Sequence, residues 1–471
     1  MVLRNSYQNL MEETLKNPPG TLTLPSCKPS FLKLEYSENN NSSDVHTKTP
    51  SILPFACSEE FAAHIKSWRR LSAPESPYKP IYEIDFDIKG SHFSFKPGDT
   101  IGLTPQNNEF EVESVINHLD LQSLVNCKYY LSIKEGLKGK VPGHIPLNSS
   151  IKYVLTHCVD LRGVIKKLFI LTLSQYTAED SERNILKYLC SKEGSAIYTS
   201  HVLYKNMSIV DLFNTFTSCK PPIEVLFEHL PRLLPRPYSI VNSHNVEPDI
   251  IRICFSVINI ESNKKGLTTG WLEKLLLNDT IEDKLNNLKL NGTSETPRIP
   301  IFLRQNVNNF TLPYDLKIPI IMIGVGSGIS PYIGFLQERG YLKQNLNLDI
   351  GFSWLFVGCR NPALDFIYDK ELGEFLKDGV LSKLSTAFSK SDVTEHKYVQ
   401  DAIIQDGAEV AKLIKEGATV YICGDVKTMV ATVKDTLVKC VAKYHSITEQ
   451  NAENLLSDMQ KGKRLLVDLW T

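Results

Sequence analysis

Four apolar runs alternate with helix-length segments in the C-terminal third of the chain. They lie at Ile320–Ile323, Trp354–Val357, Lys383–Phe388 and Thr419–Cys423, and the first is followed by a glycine-rich turn. Buried strands separated by amphipathic segments are typical of crossover units in a parallel sheet. The pattern therefore predicts a parallel-sheet domain over residues 316–471.

The residues before this domain have the pattern of antiparallel strands interrupted by helices. Ile81, Ile84, Phe86 and Ile88 alternate with polar residues, and apolar strands return at 250–257 and 298–303. Between them, residues at about 109–225 repeat at helical spacing, as Val112, Val115, Ile116 and Leu119 do. We expect a β barrel over 56–315 with a helical insertion at about 109–225, so the fold class is α/β plus β barrel.

Two polar stretches do not fit these domains. Residues 1–55 are weakly patterned, and Ser37–Ser51 is a polar run that lacks the apolar surface needed to order itself. We expect residues 1–55 to form a flexible segment or linker. Residues 281–297 are also polar and are expected to form a surface excursion between strands.

The 19 residues from Ile318 to Leu336 carry no charge, and this segment is almost long enough to span a membrane. Their prolines and glycines favour a buried strand, a turn and a helix start instead. The first residues of the chain lack the apolar core of a signal peptide, so we expect a cytoplasmic protein without a membrane partner.

Composition and charge narrow the function classes further. The 471 residues carry 52 Lys+Arg and 53 Asp+Glu, a net charge of −1, which excludes nucleic-acid binding by a bulk basic field. No pair of the ten cysteines has C-x-x-C spacing, and the histidines form no H-x-x-x-H cluster. We therefore expect no metal site and free thiols in a reducing compartment.

The turn from Gly324 to Pro331 follows a buried strand and precedes a helix. Closely spaced glycines let backbone N–H groups approach a phosphate at a helix N-terminus. The spacing is G-x-G-x-G rather than the G-x-G-x-x-G of the standard dinucleotide fingerprint. A tight turn without a ligand is the alternative.

Basic and hydroxyl residues follow the next strands of the sheet. Ser389 and Lys390 come directly after one strand end, and Lys397, Tyr398 and Gln400 follow shortly after. Lysines beside a hydroxyl group and an aromatic ring suit a 2′-phosphate and an adenine face, which favours NADPH over NADH. A solvated charged loop explains the same residues equally well.

Further candidates lie before the parallel-sheet domain and at the C-terminus. Arg236, Tyr238 and Ser239 could clamp a pyrophosphate and cover a flat ring, and the turn Gly266-Leu-Thr-Thr269 opens a helix nearby. On their own, Trp470 is most simply a core residue, Cys423 a buried small residue and Asp468 a surface carboxylate.

Together these segments resemble the ferredoxin-reductase module of the diflavin reductase family, over about residues 78–471. The motifs, in order, are Phe95-Lys-Pro-Gly-Asp99, Arg236-Pro-Tyr-Ser239, Gly266–Thr269, Gly324–Pro331, Gly358-Cys-Arg360, Ser389-Lys390, Lys397–Gln400, Cys423-Gly-Asp425 and Trp470. The resemblance implies an FAD-binding barrel followed by an NADP-binding domain. Lys390 departs from the family, which usually has arginine at this position.

The resemblance also implies roles for individual residues. Those expected to hold FAD are Arg236, Tyr238, Ser239, Gly266, Leu267, Thr268 and Thr269. Those expected to hold NADPH are Gly326, Ser327, Arg360, Ser389, Lys390, Lys397, Tyr398, Gln400 and Asp425. Ser239, Cys423 and Asp468 would surround the hydride path, and Trp470 would stack on the flavin ring.

Within this family, the segment Glu228–Ser239 is most similar to the branch that reactivates cobalamin-dependent methionine synthase. This implies hydride transfer from NADPH to FAD, and then electron transfer to methionine synthase or to an FMN-containing protein, in methionine biosynthesis. The alternatives are a reductase that serves a haem protein or a separate FMN protein, and a non-catalytic binding or regulatory protein.

The family's FMN domain needs roughly 150 residues, whereas about 60 residues precede the barrel. We therefore expect that domain to be absent from this sequence. Three explanations stay open: another chain supplies it, the acceptor is served from FAD directly, or the sequence is a truncated isoform or gene model.

Overall fold

The structure is a computed structural model that describes residues 20–37, 53–260, 264–286, 297–391, 395–424 and 427–469. Its strands, in chain order, are β1 (Leu32–Tyr36), β2 (Phe61–Arg70), β3 (Ile81–Asp87), β4 (Thr100–Leu103), β5 (Lys128–Ile133), β6 (Asn148–Ser150), β7 (Arg236–Ser239), β8 (Ile250–Ser256), β9 (Asn259–Ile260), β10 (Lys264–Lys265), β11 (Arg298–Arg304), β12 (Ile320–Val325), β13 (Ser353–Cys359), β14 (Lys383–Phe388), β15 (Thr419–Gly424) and β16 (Leu465–Leu469).

The α-helices connect these strands. In chain order they are α1 (Glu109–His118), α2 (Ile151–His157), α3 (Lys167–Ser174), α4 (Asp180–Cys190), α5 (Ser195–Tyr198), α6 (Ile209–Thr215), α7 (Ile223–His229), α8 (Leu267–Asn286), α9 (Ser330–Asn345), α10 (Pro362–Asp365), α11 (Asp369–Lys377), α12 (Val399–Gln405), α13 (Gly407–Lys415), α14 (Lys427–His445) and α15 (Glu449–Lys461).

The chain divides into two compact units. The first comprises residues 1–52 and 105–234, and the second comprises residues 53–104 and 235–471. The domain limits that we placed at 55/56 and 315/316 stay predictions.

The first unit is helical, with helices α1 to α7 around a small antiparallel sheet of order β1-β5-β6. Its core is apolar and includes Val115, Leu155, Phe169, Ile185 and Phe227, each at most 2% exposed. The helices cover the region at about 109–225 where the sequence predicts a helical insertion, and that prediction is confirmed.

Part of the expected N-terminal linker is ordered structure in this unit. Leu32 is buried and β1 pairs along its whole length with β5. The carboxylate of Glu228 accepts hydrogen bonds from the backbone N–H groups of Phe31 (2.8 Å) and Leu32 (2.6 Å). A non-local strand partner and a half-buried carboxylate stabilise this segment, whose local pattern is weak, and the flexible segment expected over residues 1–55 stays a prediction. Most of the polar run 37–51 lies outside the described residues, as does 287–296 of the expected excursion.

The second unit begins with an antiparallel sheet of order β7-β4-β11-β2-β3-β8. A bridge between Ile240, just after β7, and Ile253 in β8 joins the two edges, so the sheet closes into a barrel. Ile84, Phe86, Ile101 and Ile301 fill its interior with no exposed surface. The predicted antiparallel barrel is confirmed.

The second unit continues with a parallel sheet of order β14-β13-β12-β15-β16. Every residue of β13 and of β15 is buried, as expected for a sheet covered on both faces. The chain moves outward from β12 through β13 to β14 and then returns to β15, so the strand order reverses between β12 and β15. In such sheets, ligands bind beyond the carboxyl ends of the strands at this reversal.

The parallel-sheet prediction is confirmed, with β16 as a fifth strand that the sequence pattern missed. Its sequence, Leu-Leu-Val-Asp-Leu, is only five residues long, and only three residues separate it from α15. Among the described residues, no helix is long and apolar enough to cross a bilayer.

Candidate functional site

Three of the candidate residues meet at the rim of the barrel and the end of the parallel sheet. Ser239 is the last residue of β7 and is 4% exposed, and its hydroxyl donates a hydrogen bond of 2.9 Å to Oδ2 of Asp468. Asp468 in β16 lies directly opposite Cys423 in β15. Pairing of distant strands therefore brings together Ser239, Cys423 and Asp468.

The Cys423 thiol is fully buried and is kept neutral. Burial raises its pKa well above the usual value, and the neighbouring Asp468 carboxylate raises it further. A neutral thiol beside a carboxylate can pack against a flat ring or donate a weak hydrogen bond, but it cannot act as a thiolate nucleophile. Asp425 and Trp470 lie outside the described residues.

The glycine turn after β12 allows the following helix to approach the sheet closely. Gly326 has a φ of +57°, in the left-handed region that favours glycine. A Cβ on Gly328 would lie 2.5 Å from the carbonyl oxygen of Cys423. The first residue of α9, Ser330, is 1% exposed and its hydroxyl has no hydrogen-bond partner. A buried unpaired hydroxyl at a helix N-terminus fits a phosphate ligand.

A cavity of about 460 Å³ lies next to this turn. Ser327 of the turn lines it, and the Ser256 and Ser327 hydroxyls are 3.2 Å apart. All the residues that the resemblance implies for FAD line it as well, namely Arg236, Tyr238, Ser239, Gly266, Leu267, Thr268 and Thr269. The cavity is a concave space of the size that small molecules occupy in proteins.

The polar groups of this cavity fit a dinucleotide such as FAD. Gly266 donates its N–H to the carbonyl of Ile258 (2.7 Å), and the Thr269 hydroxyl accepts from the N–H of Ile258 (3.2 Å), so the turn before α8 is fixed. The neighbouring Thr268 hydroxyl is buried and has no hydrogen-bond partner. Burial raises the pKa of Tyr238, so its ring stays neutral beside Arg236.

The candidates for the NADPH 2′-phosphate lie at the carboxyl ends of β13 and β14. Ser389 donates its N–H to the carbonyl of Cys359 (3.0 Å), and Lys390 donates its N–H to the carbonyl of Arg360 (2.8 Å). The side chains of Arg360 and Lys390 are exposed, and the Arg360 guanidinium lies over the ring of Tyr78 at 4.9 Å. The structure therefore brings Arg360, Ser389 and Lys390 together at one sheet edge.

The second group of NADPH candidates returns to the same edge. Phe388 at the end of β14 donates its N–H to the carbonyl of His396 (3.0 Å), which places Lys397 close to the strand end. Tyr398 is 54% exposed and precedes α12. Gln400 instead donates its side-chain N–H to Thr432 (3.0 Å) on α14. An exposed ring and a lysine at this edge fit an adenine and its phosphate.

Several lining residues carry no sequence signal. Lys79, Cys254 and Ser256 line the 460 Å³ cavity, although each belongs to a segment with an ordinary strand or loop pattern. Arg304 and Phe55 line a second cavity that also contains Ser239 and Asp468. In the described part of the chain, no cluster of His, Cys, Asp or Glu could hold a metal ion.

The comparisons with known proteins agree with this geometry. Residues 53–271 match the family described as FAD binding domain, and residues 322–435 match the one described as oxidoreductase NAD-binding domain. A barrel of the first kind joined to a parallel sheet of the second defines a flavoprotein oxidoreductase module.

Whole-chain relatives identify the family. The chain is 34% identical to the methionine synthase reductases of Rattus norvegicus and Homo sapiens, over 96% of its length and 66% of theirs. It is 30% identical to the NADPH–cytochrome P450 reductase of Homo sapiens, over 89% of its length and 60% of that protein. The chain belongs to the diflavin reductase family, as a relative of methionine synthase reductase, and the predictions of FAD and NADPH as cofactors are confirmed. It spans just under two thirds of the methionine synthase reductases that it matches.

Proposed function

We propose that this chain takes hydride from NADPH onto FAD and passes the electrons to a protein acceptor. The observation that carries the proposal is the Ser239–Asp468 hydrogen bond beside Cys423, at the point where the FAD-binding barrel and the NAD-binding sheet meet. FAD, when bound, supplies a ring that accepts two electrons from NADPH and can release them singly.

The chain's own residues prepare this site in three ways. Arg236 and the turn Gly266–Thr269 bind and orient FAD. Gly328 lets the turn that would bind NADPH pack closely against Cys423. The Asp468 carboxylate favours the positive charge that develops on the nicotinamide. Ser239 holds that carboxylate in position and its burial excludes water from the reacting rings.

Among acceptors, we propose methionine synthase, reached directly or through an FMN-containing protein. The observation that favours it is the higher identity, over a larger share of this chain, to methionine synthase reductases than to NADPH–cytochrome P450 reductases. The second candidate is a haem protein served through an FMN-containing protein, which the second group of relatives supports.

An anaerobic titration of the FAD-loaded protein with NADPH tests the first half of the proposal. We expect the yellow flavin absorbance to bleach with one equivalent of NADPH per FAD and to respond much less to NADH. A protein that binds no FAD, or whose bound FAD stays oxidised, contradicts the proposal and favours a non-catalytic binding protein.

Reconstitution tests the acceptor. We expect NADPH, this chain and an FMN-containing partner to reactivate oxidised methionine synthase faster than they reduce a cytochrome P450. The same mixture without this chain is the control. Faster reduction of the P450 would favour the second candidate.

A further inference from the structure

A row of residues in register across three barrel strands ends at Asp468. Arg304, the last residue of β11, lies opposite Thr100 in β4, and Thr100 lies opposite Ser239 in β7. Directly opposed residues of antiparallel strands have their side chains on the same face of the sheet. Arg304 therefore points to the same face as Ser239, whose hydroxyl binds Asp468.

The same residues line one cavity. Arg304, Thr100, Ser239 and Asp468 all contribute to the walls of a space of about 260 Å³. This cavity is distinct in its lining from the 460 Å³ cavity, and the two share only Pro237 and Ser239 among the described residues. Arg304 and Asp468 therefore line a space that the FAD turn residues Gly266–Thr269 do not line.

The Arg304 guanidinium lies over the ring of Phe55, 5.4 Å from the ring centre. Phe55 has a φ of 60°, a conformation that a bulky residue rarely adopts. Two hydrogen bonds to the end of β11 hold it there, from Gln305 N–H to the Phe55 carbonyl (2.7 Å) and from Cys57 N–H to the Leu303 carbonyl (2.9 Å). The chain therefore keeps an aromatic ring over this arginine.

The charges in this region complement one another. Burial lowers the pKa of Arg304, whereas the Asp468 carboxylate raises it, and an arginine stays protonated throughout the assay range. Cys423 on β15 and Tyr332 on α9 also interact with Asp468, and burial keeps both neutral. Among these groups Arg304 is the cation that can balance the carboxylate.

We propose that Arg304 is a positioning residue for hydride transfer, whose positive charge favours the ionised Asp468 carboxylate across the cavity that both residues line. The inference rests on the proposed function, since Asp468 matters for rate only if nicotinamide and flavin meet beside it. No motif of the family resemblance includes Arg304 or Phe55.

The first test measures flavin reduction by NADPH from about pH 5 to about pH 9 in the FAD-loaded protein. In Arg304→Gln we expect the acid limb of the rate profile to move to higher pH, because Asp468 loses a neighbouring cation. The rate on that limb falls about tenfold for a displacement of one pH unit. Arg304→Lys restores the charge and should keep the limb near its wild-type position.

The matched control is Arg298→Gln, since Arg298 is an exposed arginine at the other end of the same strand. We expect it to leave the pH profile unchanged. A profile for Arg304→Gln that coincides with wild type overturns the proposal. So does a rate lowered equally at every pH, because that is the result of a purely structural role.

The second test needs neither cofactor nor turnover. Thermal unfolding of the apo-protein is compared for wild type, Arg304→Gln, Asp468→Asn and the double variant. Interacting residues give non-additive losses, so we expect the double variant to lose less in Tm than the sum of the single variants. Additive losses overturn the pairing of Arg304 with Asp468. If wild-type FAD is not reduced by NADPH, the proposed function fails, and this cycle still reports on the pair separately.

Discussion

The Ser239 hydroxyl donates to the Asp468 carboxylate across 2.9 Å, between residues 229 positions apart in the chain. One is at the end of a barrel strand and the other is in the last strand of the parallel sheet. A short hydrogen bond to a charged acceptor is among the stronger polar contacts in proteins. It fixes the carboxylate at the point where we propose that the nicotinamide and flavin rings meet.

Replacing this carboxylate should slow hydride transfer without emptying the FAD site. For Asp468→Asn we expect flavin reduction to fall by about 10-fold to 100-fold, because the positive charge developing on the nicotinamide loses its anionic neighbour. Stopped-flow absorbance with NADPH measures the rate, and the flavin-to-protein absorbance ratio measures FAD content. Asp435→Asn, an exposed aspartate on α14, is the control. An unchanged rate in Asp468→Asn would show that the carboxylate takes no part in hydride transfer.

A methyl group on Gly328 should destabilise the glycine turn. Its Cβ would lie 2.5 Å from the carbonyl oxygen of Cys423, so the helix start or the strand end must move. We expect Gly328→Ala to lose about 1–3 kcal/mol in the free energy of unfolding. Gly373→Ala is the control, since no atom lies within 4 Å of its Cβ position and α11 should gain about 0.5–1 kcal/mol. Urea unfolding of wild type and both variants measures these changes. A Gly328→Ala variant as stable as wild type would show that the turn approaches Cys423 less closely.

Coenzyme preference should depend on the lysine at the end of β14. Lys390→Ala loses a charge-assisted contact to the 2′-phosphate, so we expect KM for NADPH to rise about tenfold while KM for NADH changes little. Steady-state kinetics with both coenzymes give the ratio. Lys415→Ala, an exposed lysine on α13, controls for net charge. A parallel rise in both KM values would mean that Lys390 acts on the fold rather than on the phosphate.

The buried thiols should make the protein less stable in alkali. Burial raises the pKa of Cys190 to about 12 and that of Cys219 to about 11, whereas in the unfolded chain these thiols ionise near their ordinary value. Above that value the unfolded chain binds fewer protons than the native chain, so stability falls as pH rises. At about pH 10 each such thiol should lower the free energy of unfolding by about 1.4 kcal/mol.

Urea unfolding at about pH 7 and about pH 10 checks this for the Cys190→Ala variant. Removing the thiol should make the difference in the free energy of unfolding between these two pH values smaller than in wild type. Leu189→Ala removes a neighbouring buried side chain that does not titrate. Its loss of stability relative to wild type should therefore be the same at both pH values. If Cys190→Ala keeps the full wild-type pH dependence, burial does not hold that thiol protonated.

Local sequence patterns were sufficient to predict the strands, turns and helices that contain most of the candidate-site residues. A buried strand followed by closely spaced glycines predicts the turn at Gly324–Pro331, and β12, the left-handed Gly326 and the start of α9 lie there. Period-2 and helical spacing likewise predict the barrel strands and the helical insertion. Steric and hydrogen-bonding preferences act over a few residues, and a single sequence records them directly.

The sequence by itself determined the order of these elements, the glycine turns and the types of side chain available to bind two nucleotides. Only the tertiary structure decided which distant residues come together: β1 pairs with β5, Ser239 binds Asp468, and Arg304 lines one cavity with both. Strand neighbours and register depend on the packing of whole faces against one another, which no local window contains. In the sequence, Arg304 therefore looks like any strand-end arginine, and only the folded barrel places it in the wall of the cavity that Asp468 also lines.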